Sequence, residues 1–224
     1  WTAVFPLTDW SLQLMAMVNA AVALWAVDLI SRRFVRGEKR VIVLLLAMLL
    51  PVYQFHAQRF NANTVLLASW PLATYCFLRA FEAPRQLGWA IAAGAACALA
   101  MLGKYYSIFL VASFVFAAVL HPDRRRYLLS ASPWISTLAG MLVLGPHLHW
   151  LATTGATTFD YALAHAGVDH VAALWEVAYF ITGLIAALSV AAVTWVFIAG
   201  QRLAQLPADF RAMNPGLRLL LLVA

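Results

Sequence analysis

The stretch Ser31-Arg-Arg-Phe-Val-Arg36-Gly-Glu-Lys-Arg40 lies between two apolar runs, Leu12–Ile30 and Val41–Phe55, and it decides the fold. Half of the stretch is cationic, and the flanking runs approach the roughly 20 apolar residues that a helix needs to cross a bilayer. The pattern continues outward through Val65–Phe81, Leu87–Gly103, Tyr106–Leu120, Trp134–Ala152 and Leu174–Ala199, and a further run begins at Leu217. This predicts an all-α, polytopic transmembrane helix bundle of about seven full spans plus a truncated eighth. Several runs are short, so their ends reach into the interface or they cross where the bilayer is thinned or lined by protein.

Composition agrees. The 224 residues are 64% hydrophobic and 11% charged, with a mean hydropathy of +0.83. A soluble domain carries about twice that charge, and too few polar side chains are present here to coat one. The net charge of +6 raises nucleic acid as a partner, but a nucleic-acid binder clusters its cations on one face among aromatics. Here they sit in the gaps between apolar runs, so no nucleic-acid partner is expected. Cys76 and Cys97 lie inside apolar runs and read as buried thiols, not as a disulfide framework.

The distribution of cations gives a topology. Arg32, Arg33, Arg36, Lys39 and Arg40 fill one gap; Arg79 and Arg85, then Arg124 to Arg126, then Arg202, Arg211 and Arg218 fill every second gap after it. That accounts for 13 of the 15 cations. Positive-inside sorting makes these gaps cytoplasmic and puts Trp1 on the extracytoplasmic side. The absence of a basic n-region before the first apolar run argues against a signal peptide. The last run stops after eight residues, so the chain is expected to be an internal part of a longer protein.

Some features have structural readings. Asp28 and Arg32 are spaced i, i+4 and suit a local ion pair. The small residues between Gly88 and Ala98 suit a helix packed closely on its neighbours. Pro51 and Pro71 lie inside runs and are expected to kink them. Trp10, Trp70, Trp134, Trp150 and Trp175 lie near run ends, as in an aromatic belt.

Two cations, Arg59 and Lys104, fall on the side that sorting disfavours. Each sits at an extracytoplasmic span junction, where charge-assisted hydrogen bonds can hold a phosphate at the headgroup level. The structural alternative is snorkelling to an anionic headgroup. Around Arg59 the chain reads Gln54-Phe-His56-Ala-Gln58-Arg59-Phe-Asn61-Ala-Asn63-Thr64. His56, Gln58 and Asn61 can line a polar pocket with Arg59, whereas Asn63 and Thr64 suit a helix cap. The longest extracytoplasmic gap, 153–173, holds Asp160, Tyr161, His165, Asp169 and His170, with His147 and His149 just before it. Its histidine spacing matches no ligand pair on a helix face, so no metal site is assigned; polar lining for a sugar fits better. A divalent cation remains an option as cofactor.

The segments Arg59-Phe-Asn-Ala-Asn63, Trp70-Pro-Leu-Ala-Thr-Tyr75, Arg79-Ala-Phe-Glu82 and Leu102-Gly-Lys104-Tyr-Tyr-Ser-Ile-Phe109 resemble a known family. It is that of the polytopic GT-C glycosyltransferases of the dolichyl-phosphate-mannose protein mannosyltransferase type (family 39), with the bacterial aminoarabinose transferases as relatives, and the likeness covers residues 1–170. The resemblance implies a membrane glycosyltransferase that moves a sugar from a polyprenyl-phosphate donor to a lipid, glycan or protein acceptor. The reaction would run on the extracytoplasmic face, usually with inversion, in a bacterial inner (plasma) membrane. It implies that Lys104, assisted by Arg59, binds the donor phosphate; on the reading of the polar residues above, His56, Gln58, Asn61, Tyr105, Asp160 and His165 are expected to line the substrate pocket. The family's general base is an Asp or Glu in a first extracytoplasmic loop, which this reading places before Trp1, after a first N-terminal span. The chain alone is then expected to be inactive, a single transmembrane part of the enzyme lacking that span and loop and the C-terminal part. The family often carries an acidic residue where Asn61 and Asn63 stand. The alternative class is a transporter or flippase for a lipid-linked or small polar substrate, whose polar groups would gather near the bilayer midplane. A non-catalytic membrane scaffold would be indifferent to a change at Lys104.

Overall fold

The computed structural model describes residues 3–154, 171, 174–179, 181–183, 185–186, 189, 193 and 206–223. Every regular element among them is helical. In order these are α1 (Asp9–Ser31), α2 (Glu38–Leu49), α3 (Pro51–Gln58), α4 (Ala62–Glu82) and α5 (Leu87–Gly103). A 3-10 turn (Tyr105–Ser107), α6 (Ile108–Leu120), α7 (Arg124–Leu128), α8 (Ser132–Thr154), α9 (Leu206–Ala212) and α10 (Pro215–Val223) follow. The chain forms two compact units, Trp1–Leu148 with Asn214–Ala224, and His149–Met213.

Among the described residues α1, α8 and residues Asn63–Glu82 of α4 are long and apolar enough to cross a membrane. The expected span Val41–Phe55 is two helices, α2 and α3, bent by 66°. Leu50 is extended (ψ 130°) and Pro51 opens the new helix, where its missing N–H costs nothing. The helix does not bend around this proline; it stops and restarts. Counting that pair as one span gives four crossings. The apolar helices α5 and Tyr105–Leu120 are shorter. Most of the expected span Leu174–Ala199 lies outside the described residues. Pro71, also expected to kink its span, lies inside the continuous helix α4, and Pro146 lies likewise inside α8.

In the first unit α4 pairs with α5 on one side and α1 on the other. Small residues set the spacing, because in lipid close van der Waals contact replaces the hydrophobic drive. Ala90, Ala93, Gly94, Ala98 and Ala100 of α5 are buried. A Cβ on Gly94 would stand 1.9 Å from the Ser136 carbonyl oxygen of α8, so only glycine lets the two backbones meet. The Ser136 hydroxyl donates to the Ala90 carbonyl at 2.8 Å across the same crossing. Nearer one end, Phe77 stacks on Phe114 with centroids 4.4 Å apart, and Phe81 packs on Tyr127 at 4.8 Å. Cys76 and Cys97 are free thiols, each partly buried.

Large apolar side chains such as Leu45, Leu46, Phe116 and Leu142 are more than half exposed. On a soluble protein such a surface would be an aggregation hazard; around a bundle it is the face that meets lipid. Trp10 and Trp134 share that exposure. Trp70 departs from the belt expected for it: it turns inward, and its indole N–H donates to the Ser107 hydroxyl at 3.0 Å.

The cations of this unit divide between its ends. The α1 and α4 C-termini are joined by the Arg33–Glu82 ion pair. Asp28 accepts from Arg32, the expected local pair, and also from Arg40 twelve residues on. Arg85 lies in the α4–α5 connection, and Arg124 to Arg126 follow α6 at the same end. His121, fully buried there, accepts the Asp123 N–H at Nδ1, which leaves its proton on Nε2 to donate to the Pro215 carbonyl at 3.1 Å. Arg59 and Lys104 are at the opposite end, where α4 begins and α5 stops.

Candidate functional site

The end that holds Lys104 is assembled by three local devices. The first is a helix start. Asn61 is the N-cap of α4: its side-chain oxygen accepts from the Asn63 and Thr64 amides at 2.8 and 3.2 Å. The Thr64 hydroxyl faces the Asn61 amide at 3.0 Å, which completes a capping box and satisfies amides that the helix cannot. The cap was expected at Asn63 or Thr64. It falls on Asn61 because only a residue outside the helix has the extended backbone (ψ 177°) that the role demands.

The second device is a close approach. Gly103 ends α5, and a Cβ there would stand 2.8 Å from a Val65 methyl carbon of α4. Glycine thus lets the chain carry Lys104 up to the start of α4, where its ammonium donates to the Asn63 side-chain oxygen at 2.6 Å. The third device fixes the backbone after Lys104. The Lys104 amide donates to the Ala100 carbonyl at 3.0 Å, and its carbonyl accepts from the Ser107 amide at 2.9 Å. Buried Ser107 receives the Trp70 indole and donates its own hydroxyl to the Ala100 carbonyl at 2.9 Å. Trp70 also stacks parallel on Tyr106, centroids 6.2 Å apart, and the Lys104 ammonium is 5.7 Å from that ring, within range of a cation–π attraction.

Lys104 is therefore held on both sides and yet exposed. Its hydrogen-bond partner is a neutral amide, and among the described residues it has no ion pair. The charge is positioned without being neutralised. Such an ammonium can hold an anionic oxygen through charge-assisted hydrogen bonds.

The other candidates take distinct places. His56 is half-buried, with Nδ1 3.3 Å from the Asn61 amide nitrogen, so the pair closes the turn. Asn61 is accordingly committed to the cap and to His56, which leaves it a shaping part in the pocket first expected around it. Gln58 is the exposed last residue of α3. Arg59 is exposed, and the Thr64 hydroxyl donates to its carbonyl at 2.6 Å. Its guanidinium makes no ion pair or hydrogen bond among the described residues. Tyr105 turns away from Lys104 toward α8, where its hydroxyl is 2.6 Å from His147 Nε2. Asp160 and His165 lie outside the described residues. Among the described residues no three His, Cys, Asp or Glu side chains gather as a metal site.

Sequence reasoning missed Asn63 as the partner of Lys104, and Trp70, Tyr106 and Ser107 as its support. Their signal is tertiary, spanning 37 to 41 residues of chain. An apolar groove of about 390 Å³ runs between α4, α5, α6 and α8. Met101 and Ile108, which bracket Lys104 in the chain, line it together with Gly94, Val115 and Leu144, and Tyr127 lines it farther along. Burial pushes the Tyr127 phenol up from its ordinary value, so its hydroxyl is neutral there.

No curated protein and no solved structure matches the chain. Residues 1–150, which include α1 to α7 and most of α8, match the family described as dolichyl-phosphate-mannose-protein mannosyltransferase. The chain, with its apolar helices, belongs to that family of membrane glycosyltransferases.

Proposed function

We propose that the protein transfers a sugar from a polyprenyl-phosphate donor to an acceptor on the extracytoplasmic face of a bacterial inner membrane. The observation that carries this reading is Lys104: an exposed, un-neutralised ammonium held by Asn63 on a chain segment whose flanking residues Met101 and Ile108 line an apolar groove. The groove suits the prenyl tail and the ammonium suits the phosphate, with Arg59 as a second cation at the same end. His56, Gln58 and Tyr105 are the polar groups of this unit offered to the sugar or acceptor; Asp160 and His165, expected with them, lie outside the described residues. The face is assigned by positive-inside sorting. In this reading α5 and Tyr105–Leu120 also cross the membrane, in a locally thinned or protein-lined setting.

In the reaction the bond between the sugar C1 and the lipid-phosphate oxygen breaks. An acceptor oxygen bonds to C1 and gives its proton to a general base. That base is an Asp or Glu in the family's first extracytoplasmic loop. The leaving polyprenyl phosphate gains a negative charge, and Lys104 stabilises this charge as it develops. The acceptor is a lipid, a glycan or a protein. A transporter would hold its polar groups at mid-membrane on broken helices, whereas Lys104 and Arg59 sit at the helix ends.

The test uses the full-length protein in proteoliposomes with a polyprenyl-phosphate sugar labelled in the sugar. Transfer predicts label on an acceptor and free polyprenyl phosphate in equal amounts. Label that changes leaflet while still on the prenyl phosphate would instead make the protein a flippase.

A further inference from the structure

The arginine-rich end carries charges that neither the ion pairs nor the proposed transfer uses. A groove of about 760 Å³ opens there between the α4–α5 connection and α7, lined by Arg85, Gln86, Arg125, Arg126, Leu129 and Ser130. The three arginines are exposed. Among the described residues none of their guanidinium groups has a hydrogen-bond or ion-pair partner. Glu82, on the groove wall, is engaged by Arg33, so it does not cancel them. Gln86 stands at the N-cap of α5 without capping it, because its side-chain oxygen accepts from the Trp89 indole at 3.1 Å. The positive end of the 17-residue helix α5 therefore adds to the three cations. On the rim Leu129 is 85% exposed, and Trp134, five residues on at the start of α8, is 73% exposed, a combination of cations with bare apolar surface that belongs at the headgroup–acyl boundary.

We propose that this groove binds the phosphate headgroup of an anionic membrane phospholipid. The guanidinium groups converge on the phosphate oxygens, and Leu129 and Trp134 meet the start of the acyl chains. Basic pockets between membrane helices recognise such lipids in this way. The exposed leucine separates this site from one built for a soluble anion, which would not need it. The inference rests on membrane insertion and not on the role of Lys104, so the two fail separately.

The test is native mass spectrometry of the full-length protein with phosphatidylglycerol, phosphatidylcholine and inorganic phosphate as probes. A phosphatidylglycerol adduct is expected to outcompete phosphatidylcholine, and phosphate at equal concentration should leave it in place. The triple change Arg85→Gln, Arg125→Gln, Arg126→Gln should weaken that adduct about 100-fold, and Arg125→Gln alone about fivefold. Removing the same charge at the same end by Arg36→Gln, Lys39→Gln, Arg124→Gln should leave it close to wild type. Unchanged binding in the single and triple groove variants would overturn the proposal, as would equal loss in the control variant or displacement by free phosphate. If the triple variant does not fold, Arg125→Gln measured against Arg124→Gln decides the matter.

Discussion

The two ends of the first unit differ in how their cations are answered: among the described residues the arginine-rich end has Arg–carboxylate pairs beside its unpaired Arg85, Arg125 and Arg126, and the Lys104 end has none. At the arginine-rich end Arg33 meets Glu82, and Asp28 binds both Arg32 and Arg40. These pairs tie α1 to α2 and to α4. At the other end Lys104 meets the neutral Asn63 and the face of Tyr106, and neither it nor Arg59 has an ionic partner among the described residues. A charge answered by a carboxylate fastens helices together. A charge positioned by neutral groups stays available to a ligand. The difference separates architecture from chemistry more sharply than the identity of the residues does.

The first way to break the comparison is to ask whether the ends face opposite sides of the membrane. In a variant lacking Cys76 and Cys97, Cys introduced at Arg59 should react fully with an impermeant maleimide added outside intact cells. Cys introduced at Arg125 should react only after permeabilisation. Labelling of both from one side would remove the topological half of the contrast.

Next in size is the fastening role. Arg33→Ala strands a partly buried carboxylate and should cost about 3 kcal/mol, read as earlier unfolding in detergent. The double change Arg33→Ala, Glu82→Gln should recover part of that loss, because no charge is then left alone. Equal losses in both variants would mean that the pair does not fasten the helices. Smaller still, Asn61→Ala should cost about 1 kcal/mol through loss of the cap on α4, with Asn61→Ser largely retaining stability. An Asn61→Ala protein as stable as wild type would remove the capping box as the device that shapes the Lys104 end.

Much of this architecture is legible in the sequence, and the limits have physical causes. The apolar runs Leu12–Ile30, Val65–Phe81, Leu87–Gly103 and Trp134–Ala152 each fall within one helix, because apolar length and local propensity act along the chain. The two ends are legible because charge sorting leaves its record in the order of residues. The break at Leu50 is not, since the residues around it, Val41–Val52, are all apolar or proline and a proline can bend a helix or begin one. The Arg33–Glu82 pair spans 49 residues and the Lys104–Asn63 bond 41, beyond any periodicity. Lys104 stands out in the sequence as the wrong charge in the wrong gap; the groups that hold it do not. The family resemblance adds the reaction, which no spacing in these helices carries.

The central claim is that Lys104 is positioned for the charge that develops on the donor phosphate. It is tested most directly by single-turnover transfer from a polyprenyl-phosphate sugar by full-length Lys104→Met protein. Because the side chain is exposed, its loss should change stability by less than about 0.5 kcal/mol. The rate should nevertheless fall about 100-fold or more, with Lys104→Arg recovering part of it. A wild-type rate in a folded Lys104→Met protein would contradict the account.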